Sequence, residues 1–386
     1  SGGVSEKNRS KYQSIKHFGV LMSLPVLIWV FFVFVTGACV GSFINVCVFR
    51  LNTERSVFWP GSHCASCFKP IVWFDNIPII SYLVLGGICR KCKSTFSARY
   101  MLIELFSGLM FVLVFLLDVI YNVPSYNIVA FHSHQINQGL IPLNVWFTFV
   151  SHVTLLSFLL TASLTDLAKM EIPLGITVTG TLFGLVFSSF QAWPFPDDIH
   201  SANTFLLSSK DWPVKPVMPQ GTMAWPLWFP VFDWLDSHVY LHGFITSLAG
   251  IFTGTFLLRA IRFTYGLGRG IEGMGLGDAD LMMMVGAFWG WQLVIVAFFL
   301  AVIPAFFFGI LQLFSKGEQA FPFGPSLAIS SVATFYCWKF LSPHLQPIFF
   351  EFQLLLILFA FSAISLLFIS FVFRLLNNLR SNHIGS

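Results

Sequence analysis

Two aspartates, Asp166 and Asp278, stand next to apolar segments in positions where a pair of carboxylates could act together. When two nearby carboxylates share one proton, one can take a proton from water while the other donates one, which is aspartyl protease chemistry. Gly275 and Gly277 lack a Cβ and would let a substrate backbone or a neighbouring helix approach Asp278 closely. Either aspartate alone would be a capping or interfacial charge, so only the pair indicates catalysis.

Four cysteines form a second group with chemical potential, because they occur as two Cys-x-x-Cys pairs separated by 21 residues. Two such pairs can place four thiolates around one zinc ion, and a site filled by four cysteines is structural. The alternative is two disulfides, which a reducing cytoplasmic environment disfavours. The spacing therefore predicts a structural zinc site at Cys64, Cys67, Cys89 and Cys92.

The segments around these residues are those of a membrane protein. Of 386 residues, 56% are hydrophobic and 10% charged, whereas soluble domains average roughly 25% charged residues. A helix needs about 20 apolar residues to cross a bilayer. The sequence predicts such spans at 18–40, 101–121, 146–167, 173–192, 242–263, 292–314, 326–346 and 352–375, and a shorter ninth run at 279–291. We therefore predict an all-α polytopic membrane protein, an eight- or nine-span helical bundle with a small cytoplasmic zinc-binding module.

The distribution of Lys and Arg predicts which ends of the spans face the cytoplasm, because cytoplasmic loops are enriched in them. Residues 41–100 contain seven of these residues, and the connection 122–145 contains none. This asymmetry places the cysteine pairs and both aspartates at the cytoplasmic boundary, and the Pro- and Trp-rich loop 193–241 outside. Asp118 and Glu351 are predicted at outer ends, where water can solvate them. The topology leaves one exception before the first span, at Lys7, Arg9, Lys11 and Lys16.

Composition divides the chain into seven segments, and the formal net charge of +4 is too small to indicate nucleic acid as a partner. The expected surroundings are a lipid bilayer. The segments are an N-terminal tail (1–17), a first transmembrane segment (18–51), the cytoplasmic four-cysteine module (52–100), a transmembrane bundle with Asp166 (101–192), a periplasmic loop (193–241), a transmembrane bundle with Asp278 (242–376) and a C-terminal tail (377–386).

Seven motifs, each weak alone, resemble in order those of the type IV prepilin peptidase family, bifunctional leader peptidases and N-methyltransferases of the intramembrane Gly-x-Gly-Asp aspartyl protease type. Two positions depart from the family pattern: Leu174 stands where an acid is common, and Asp280 where a Lys is usual. The motifs are Gly41-Ser-Phe-Ile-Asn45-Val-Cys-Val-Phe-Arg50-Leu, the two cysteine pairs, Trp73-Phe-Asp75-Asn76-Ile-Pro78, Arg99-Tyr100-x-x-x-Glu104, Asp166 with Ile172-Pro173, Glu272-Gly-Met-Gly275-Leu-Gly277-Asp278 and Phe321-Pro-Phe-Gly324-Pro325.

The resemblance implies an enzyme of the bacterial inner membrane, with its active site at the cytoplasmic face and Asp166 and Asp278 as catalytic residues. It implies removal of the basic leader of type IV prepilins and type II secretion pseudopilins after a Gly, and then N-methylation of the new terminal residue with S-adenosylmethionine. The residues that the resemblance suggests for methyl transfer and cofactor binding are Gly41, Asn45 and Arg50. Two alternatives stay open: a peptidase of the same class that only cleaves, and an ion-coupled membrane transport or assembly subunit.

Overall fold

The computed structural model describes residues 23–51, 53, 56–57, 59, 61–124, 126–190, 239–270, 275–316, 322–350 and 352–384. Several sequence-based expectations lie outside these residues and have no structural outcome. They concern the N-terminal tail 1–17, almost all of the loop 193–241, the motif residue Glu272 and the acidic residue Glu351.

Helices and short turns make up the described residues, and no β-strand occurs among them, which confirms the all-α class. A 3-10 turn, Trp73–Asn76, precedes the second helix, and a π-helical turn, Leu116–Ile120, extends the third. The helices are α1 (Leu24–Leu51), α2 (Ile80–Leu85), α3 (Arg99–Phe115), α4 (Asn127–Phe131), α5 (Ser133–Asn137), α6 (Leu143–Lys169), α7 (Leu174–Phe190), α8 (Val239–Arg269), α9 (Leu276–Leu300), α10 (Val302–Lys316), α11 (Gly324–Phe350) and α12 (Phe352–Ile384).

Within the described ranges, six helical segments are long and apolar enough to cross a membrane. The predicted spans 173–192 and 326–346 correspond to α7 and α11, which are not among these six. The boundary predicted between 279–291 and 292–314 lies beside a non-helical residue inside α9. There α9 bends at Gly290, whose positive φ of 79° suits a residue without a Cβ, and then continues to Leu300. The six segments are Leu24–Leu51, Arg99–Ile120, Leu143–Lys169, Gly243–Arg269, Leu276–Gln312 and Gln353–Val372.

The central helix of the bundle is α9, whose residues are almost all buried between Asp278 and Val294. It packs most closely against α8. Gly250 and Gly254 of α8 lie directly against the backbone of α9 at Gly286 and Met282, so a Cβ at these glycines would overlap main-chain atoms. Small residues allow such contact between helices in a bilayer, where van der Waals packing replaces the hydrophobic driving force. This packing fixes the helix that carries Asp278.

One small apolar cluster shows which helix ends lie together. Ile44 and Val48, near the end of α1, and Ile103, near the start of α3, pack with Leu160 and Leu164 of α6. These α6 residues lie in the last turns of that helix, beside Asp166. The four-cysteine segment connects the end of α1 to the start of α3, so it lies at the same end of the bundle as Asp166.

Candidate active site and metal centre

Asp166 and Asp278 come together from two different helices at one end of the bundle. Asp166 lies in the last turn of α6, and Asp278 is the third residue of α9. The two residues are 5% and 9% exposed, and their carboxyl groups are close enough to interact electrostatically. Burying a carboxylate in a membrane bundle costs several kcal/mol, so two of them at one place mark a candidate functional site. The structure thus brings together the two residues that the sequence pairs.

A backbone amide at the start of α11 binds the carboxylate of Asp166. The N–H of Gly324 donates a hydrogen bond to Oδ2 of Asp166 at 2.9 Å. Gly324 is the first residue of α11, and the N–H groups there have no partner inside the helix and favour a negative charge. A Cβ on Gly324 would lie 2.7 Å from the same Oδ2. Only glycine therefore lets this helix end come so close to the carboxylate.

Ile172, in the short connection between α6 and α7, sets the spacing of the helix ends around the site. A Cβ on Gly277 would lie 2.9 Å from Cβ of Ile172, and one on Gly324 would lie 3.0 Å from its Cδ1. The connection begins at Met170, which has a positive φ of 59° and donates its N–H to the carbonyl of Asp166 at 2.7 Å. Ile172 thus contacts the starts of both α9 and α11, and sequence reasoning gave neither it nor Gly324 a role.

The two glycines before Asp278 differ in what they allow. Gly277 permits the close approach of the α6–α7 connection. The segment that approaches this glycine is therefore part of the protein itself and not a substrate backbone. Gly275 is exposed, and a Cβ there would make only an ordinary contact, 3.7 Å from Oδ2 of Asp278. Among the described residues, nothing therefore requires position 275 to lack a Cβ.

Asp280 takes no part in the pair, although it is only two residues from Asp278. Its Oδ1 forms an ion pair with Nη2 of Arg259 on α8 at 3.0 Å. Residues two apart on a helix point to different sides. Asp280, which stands where a Lys is usual in the family, therefore joins α9 to α8 through Arg259.

The four cysteines form a cluster whose geometry fits a metal ion. All four Sγ atoms lie within 4.8 Å of one another, and those of Cys64 and Cys92 are 3.8 Å apart. Four sulfurs at about 2.3 Å from a zinc ion in a tetrahedron would be about 3.8 Å apart. A disulfide would need an S–S distance of about 2.05 Å, and these cysteines are free. The donor set therefore suits a tetrahedral thiolate-bound ion.

Backbone amides of the first knuckle stabilise a thiolate. The N–H groups of Cys67 and Ser66 lower the pKa of Cys64 to about 6. The N–H of Lys69 also lowers the pKa of Cys67, but desolvation and hydrogen bonds to Cys92 and Cys64 outweigh it and raise that pKa to about 11. Binding of a metal ion by these cysteines would release the protons that their thiols carry.

Two family models match the chain: the Bacterial Peptidase A24 N-terminal domain over residues 35–118, and the Type IV leader peptidase family over residues 204–310. Over these two ranges the chain is similar to the type IV leader peptidase family. The first match contains the four cysteines and the second contains Asp278. Asp166 lies between the two matched ranges, so its place in the site rests on the geometry described above.

Relatives named prepilin leader peptidase/N-methyltransferase agree with this similarity. The one from Myxococcus xanthus is 26% identical over 287 residues, 74% of this chain and 64% of the relative. Those from Pseudomonas putida and Dichelobacter nodosus are 25% and 27% identical over 77% and 79% of this chain, and 86% and 91% of their own lengths. The chain thus spans just under two thirds of the Myxococcus relative. No solved structure matches this chain significantly.

The three methyl-transfer candidates lie in the part of the chain that matches the family's N-terminal domain, and all three make internal contacts. A Cβ on Gly41 would lie 2.8 Å from Cα of Glu104, so α1 and α3 are in close contact there. Asn45 donates from Nδ2 to the carbonyl of Tyr100 at 3.0 Å. Their part in methyl transfer stays a prediction. Arg50 is buried and donates to the carbonyls of Ser56 at 3.2 Å, Val57 at 2.9 Å and Gly61 at 3.2 Å.

A buried polar cluster that was not predicted lies at a distance from Asp166 and Asp278. Oδ2 of Asp118 is 2.7 Å from Nδ1 of His152, and Tyr336 donates its hydroxyl to Oδ1 at 3.0 Å. Asp118 is only 2% exposed, so the prediction that water solvates it is wrong. His152 precedes Asp166 by 14 residues on α6, roughly 21 Å at the rise of a helix. This cluster connects the π-helical turn after α3 with α6 and α11, away from Asp166 and Asp278.

Proposed function

We propose that this protein is a membrane aspartyl endopeptidase that removes the leader from type IV prepilins and type II secretion pseudopilins after a Gly, and then N-methylates the new N-terminal residue. The pairing of the buried Asp166 and Asp278 carries the proposal. The similarity to this family and the names of the relatives support the substrate class and the second activity. The proposed location is the bacterial inner membrane with the site at the cytoplasmic face, supported by the basic residues of 41–100.

In the proposed mechanism, water is the nucleophile and the two carboxylates divide the proton transfers. The Gly324 amide favours negative charge on Asp166, so Asp166 takes the proton from water. Asp278 keeps the shared proton, because two adjacent negative charges repel each other, and donates it to the scissile carbonyl oxygen. When the tetrahedral intermediate collapses, Asp166 returns its proton to the leaving amine, and Asp278 recovers its own.

We further propose that the four-cysteine cluster holds a zinc ion, supported by the sulfur geometry. The ion would stabilise the fold of the module, and four thiolates leave no open position for substrate. S-adenosylmethionine supplies the methyl group when it is bound. The candidates for that step remain Gly41, Asn45 and Arg50, because α1 and α3 are in close contact there and Arg50 binds the carbonyls of Val57 and Gly61.

The proposed function is tested with the purified full chain in lipid nanodiscs, a prepilin substrate and S-adenosylmethionine labelled in its methyl group. The expected result is cleavage after the Gly of the leader and one labelled methyl group on the new N-terminus, read by mass spectrometry. Cleavage without transfer of the labelled methyl group would instead support the alternative of a peptidase that only cleaves. Protein that retains its metal ion and cleaves no prepilin would reject the function.

Gly324→Ala is expected to lower the cleavage rate by about 10²-fold, the typical size of one lost proton-transfer or oriented electrostatic contact. The added methyl group would lie 2.7 Å from Oδ2 of Asp166, so the carboxylate must rotate and lose the Gly324 amide. Gly175→Ala is the matched control, because a Cβ at that nearby position meets no atom within 4 Å. Equal rates for the two variants in a single-turnover assay would contradict the role of Gly324.

A further inference from the structure

The four-cysteine module exposes an apolar face that no residue of the described chain covers. Ile80, Leu83 and Val84 of α2 are 56%, 66% and 73% exposed, and Trp73 in the preceding 3-10 turn is 80% exposed. The three α2 residues follow the i, i+3, i+4 spacing that places side chains on one side of a helix. Soluble surfaces rarely carry contiguous apolar patches of this kind.

A hydrogen bond from the module to a membrane helix shows the level at which this face lies. The N–H of Ile79, directly before α2, donates to Oε2 of Glu104 at 2.7 Å. Glu104 is five residues beyond the start of α3 at Arg99, which is about 7.5 Å along the helix. Helix α2 therefore begins beside the second turn of a candidate membrane span rather than beyond its end.

The backbone of Ile79 supports the same anchoring. Its φ of 64° and ψ of −53° lie outside the common backbone regions, and a β-branched residue adopts such a conformation only under constraint from its surroundings. The hydrogen bond to Glu104 supplies such a constraint, because the N–H reaches the carboxylate from this conformation. The chain thus accepts local strain to hold α2 against α3.

The chemistry around the apolar face matches a membrane interface. Trp is enriched at the level of lipid headgroups, and basic side chains near a bilayer attract anionic lipids. Arg90 pairs with Asp75 at 2.7 Å and lies over the ring of Phe74, 5.5 Å from its centre, so it connects the second knuckle to the turn that carries Trp73. Further basic residues exposed on the module are Lys69, Lys91, Lys93 and Arg99.

We propose that the four-cysteine module is seated in the membrane interface, with the α2 face and Trp73 among lipid headgroups and the upper acyl chains. The occupant of the apolar face is then lipid, which already surrounds the neighbouring α3. The module is thereby held at the same end of the bundle as the aspartate pair. This placement is independent of the reaction at Asp166 and Asp278.

The test is photocrosslinking from the full chain in nanodiscs of phosphatidylethanolamine and phosphatidylglycerol, without prepilin. p-Benzoyl-phenylalanine replaces Leu83 in one variant and Val84 in a second, and Lys91, exposed between the cysteines of the second knuckle, in a matched control. After illumination, mass spectrometry of the delipidated protein is expected to show lipid adducts at Leu83 and Val84, at several times the yield at Lys91. Metal content is measured for each variant, so that only proteins with an intact cysteine cluster are compared.

Adduct yields at positions 83 and 84 no higher than at Lys91 would overturn the proposal, because a face in lipid must react with acyl chains. A second illumination with prepilin present identifies the rival occupant. Crosslinks to prepilin, in a protein that formed no lipid adduct without it, would assign the face to the substrate and also reject the proposal.

Discussion

Asp166→Asn and Asp278→Asn, made separately, are each expected to lower the rate of prepilin cleavage about 10³-fold or more. Asparagine keeps the shape of the side chain and can still accept the hydrogen bond from Gly324, but it cannot take a proton from water or return one. Packing around α6 and α9 is therefore preserved while proton transfer is lost. The measurement is single-turnover cleavage with excess enzyme, which separates chemistry from product release.

Asp280→Asn is the matched control for these variants. Its carboxyl group is also buried on α9, two residues from Asp278, but it pairs with Arg259 of α8. The variant is expected to keep cleavage within several-fold of the wild type, and metal content and thermal melting confirm that each protein is folded. Wild-type rates in either dyad variant would reject the mechanism. They are also what an ion-coupled transport or assembly subunit predicts for prepilin processing.

The sequence predicts those parts of the site that depend on short motif spacings or on the position of a charged residue along a membrane span. The four cysteines were identifiable because two knuckles are fixed by spacing alone, and their sulfur geometry suits the predicted ion. Asp166 and Asp278 were identifiable only as a pair, beside apolar spans and with Gly275 and Gly277 next to Asp278. Charge counting then placed both at one end of the bundle, and the structure brings them together.

The parts that sequence reasoning missed depend on contacts between distant segments. The amide of Gly324 reaches a residue 158 positions earlier in the chain, and no spacing rule relates them. The burial of Asp118 was missed for the same reason, because residues distant in the sequence enclose it. Hydropathy gives the depth of a residue in the membrane, but not which helices lie beside it, so the enclosure of Asp118 by His152 and Tyr336 was invisible.

The contacts also divide the described helices into two groups. Asn45 of α1 binds Tyr100 of α3, and the module is linked to α3 through Ile79 and Glu104. Arg50 of α1 binds carbonyls of the module at Val57 and Gly61. The aspartate pair depends on α6, α9 and α11, with Gly324 as the connecting donor. The small cluster around Leu160 and Leu164 joins the two groups by apolar packing. A change confined to the module should therefore reach the dyad only weakly.

Cys64→Ser is expected to reduce bound zinc from about one ion per chain to near zero. Three remaining sulfurs leave the tetrahedron open, and structural zinc sites of this type contribute on the order of 10 kcal/mol to local folding. The segment between α1 and α3 should then lose its fixed structure, and methyl transfer to the new N-terminus should fall with it. Zinc is measured by elemental analysis of the purified protein, and methyl transfer by the label on cleaved prepilin.

Cleavage by the Cys64→Ser variant is expected to stay within about tenfold of the wild type, because the hydrogen bond and packing that hold Asp166 involve no residue of the module. Cys39→Ser is the control, since this exposed cysteine on α1 lies outside the cluster and its loss should change neither zinc nor methyl transfer. Wild-type protein that is free of metal and titrates four reactive thiols in the module would reject the zinc site. Equal loss of cleavage and methyl transfer would show instead that the module also positions substrate for the aspartates.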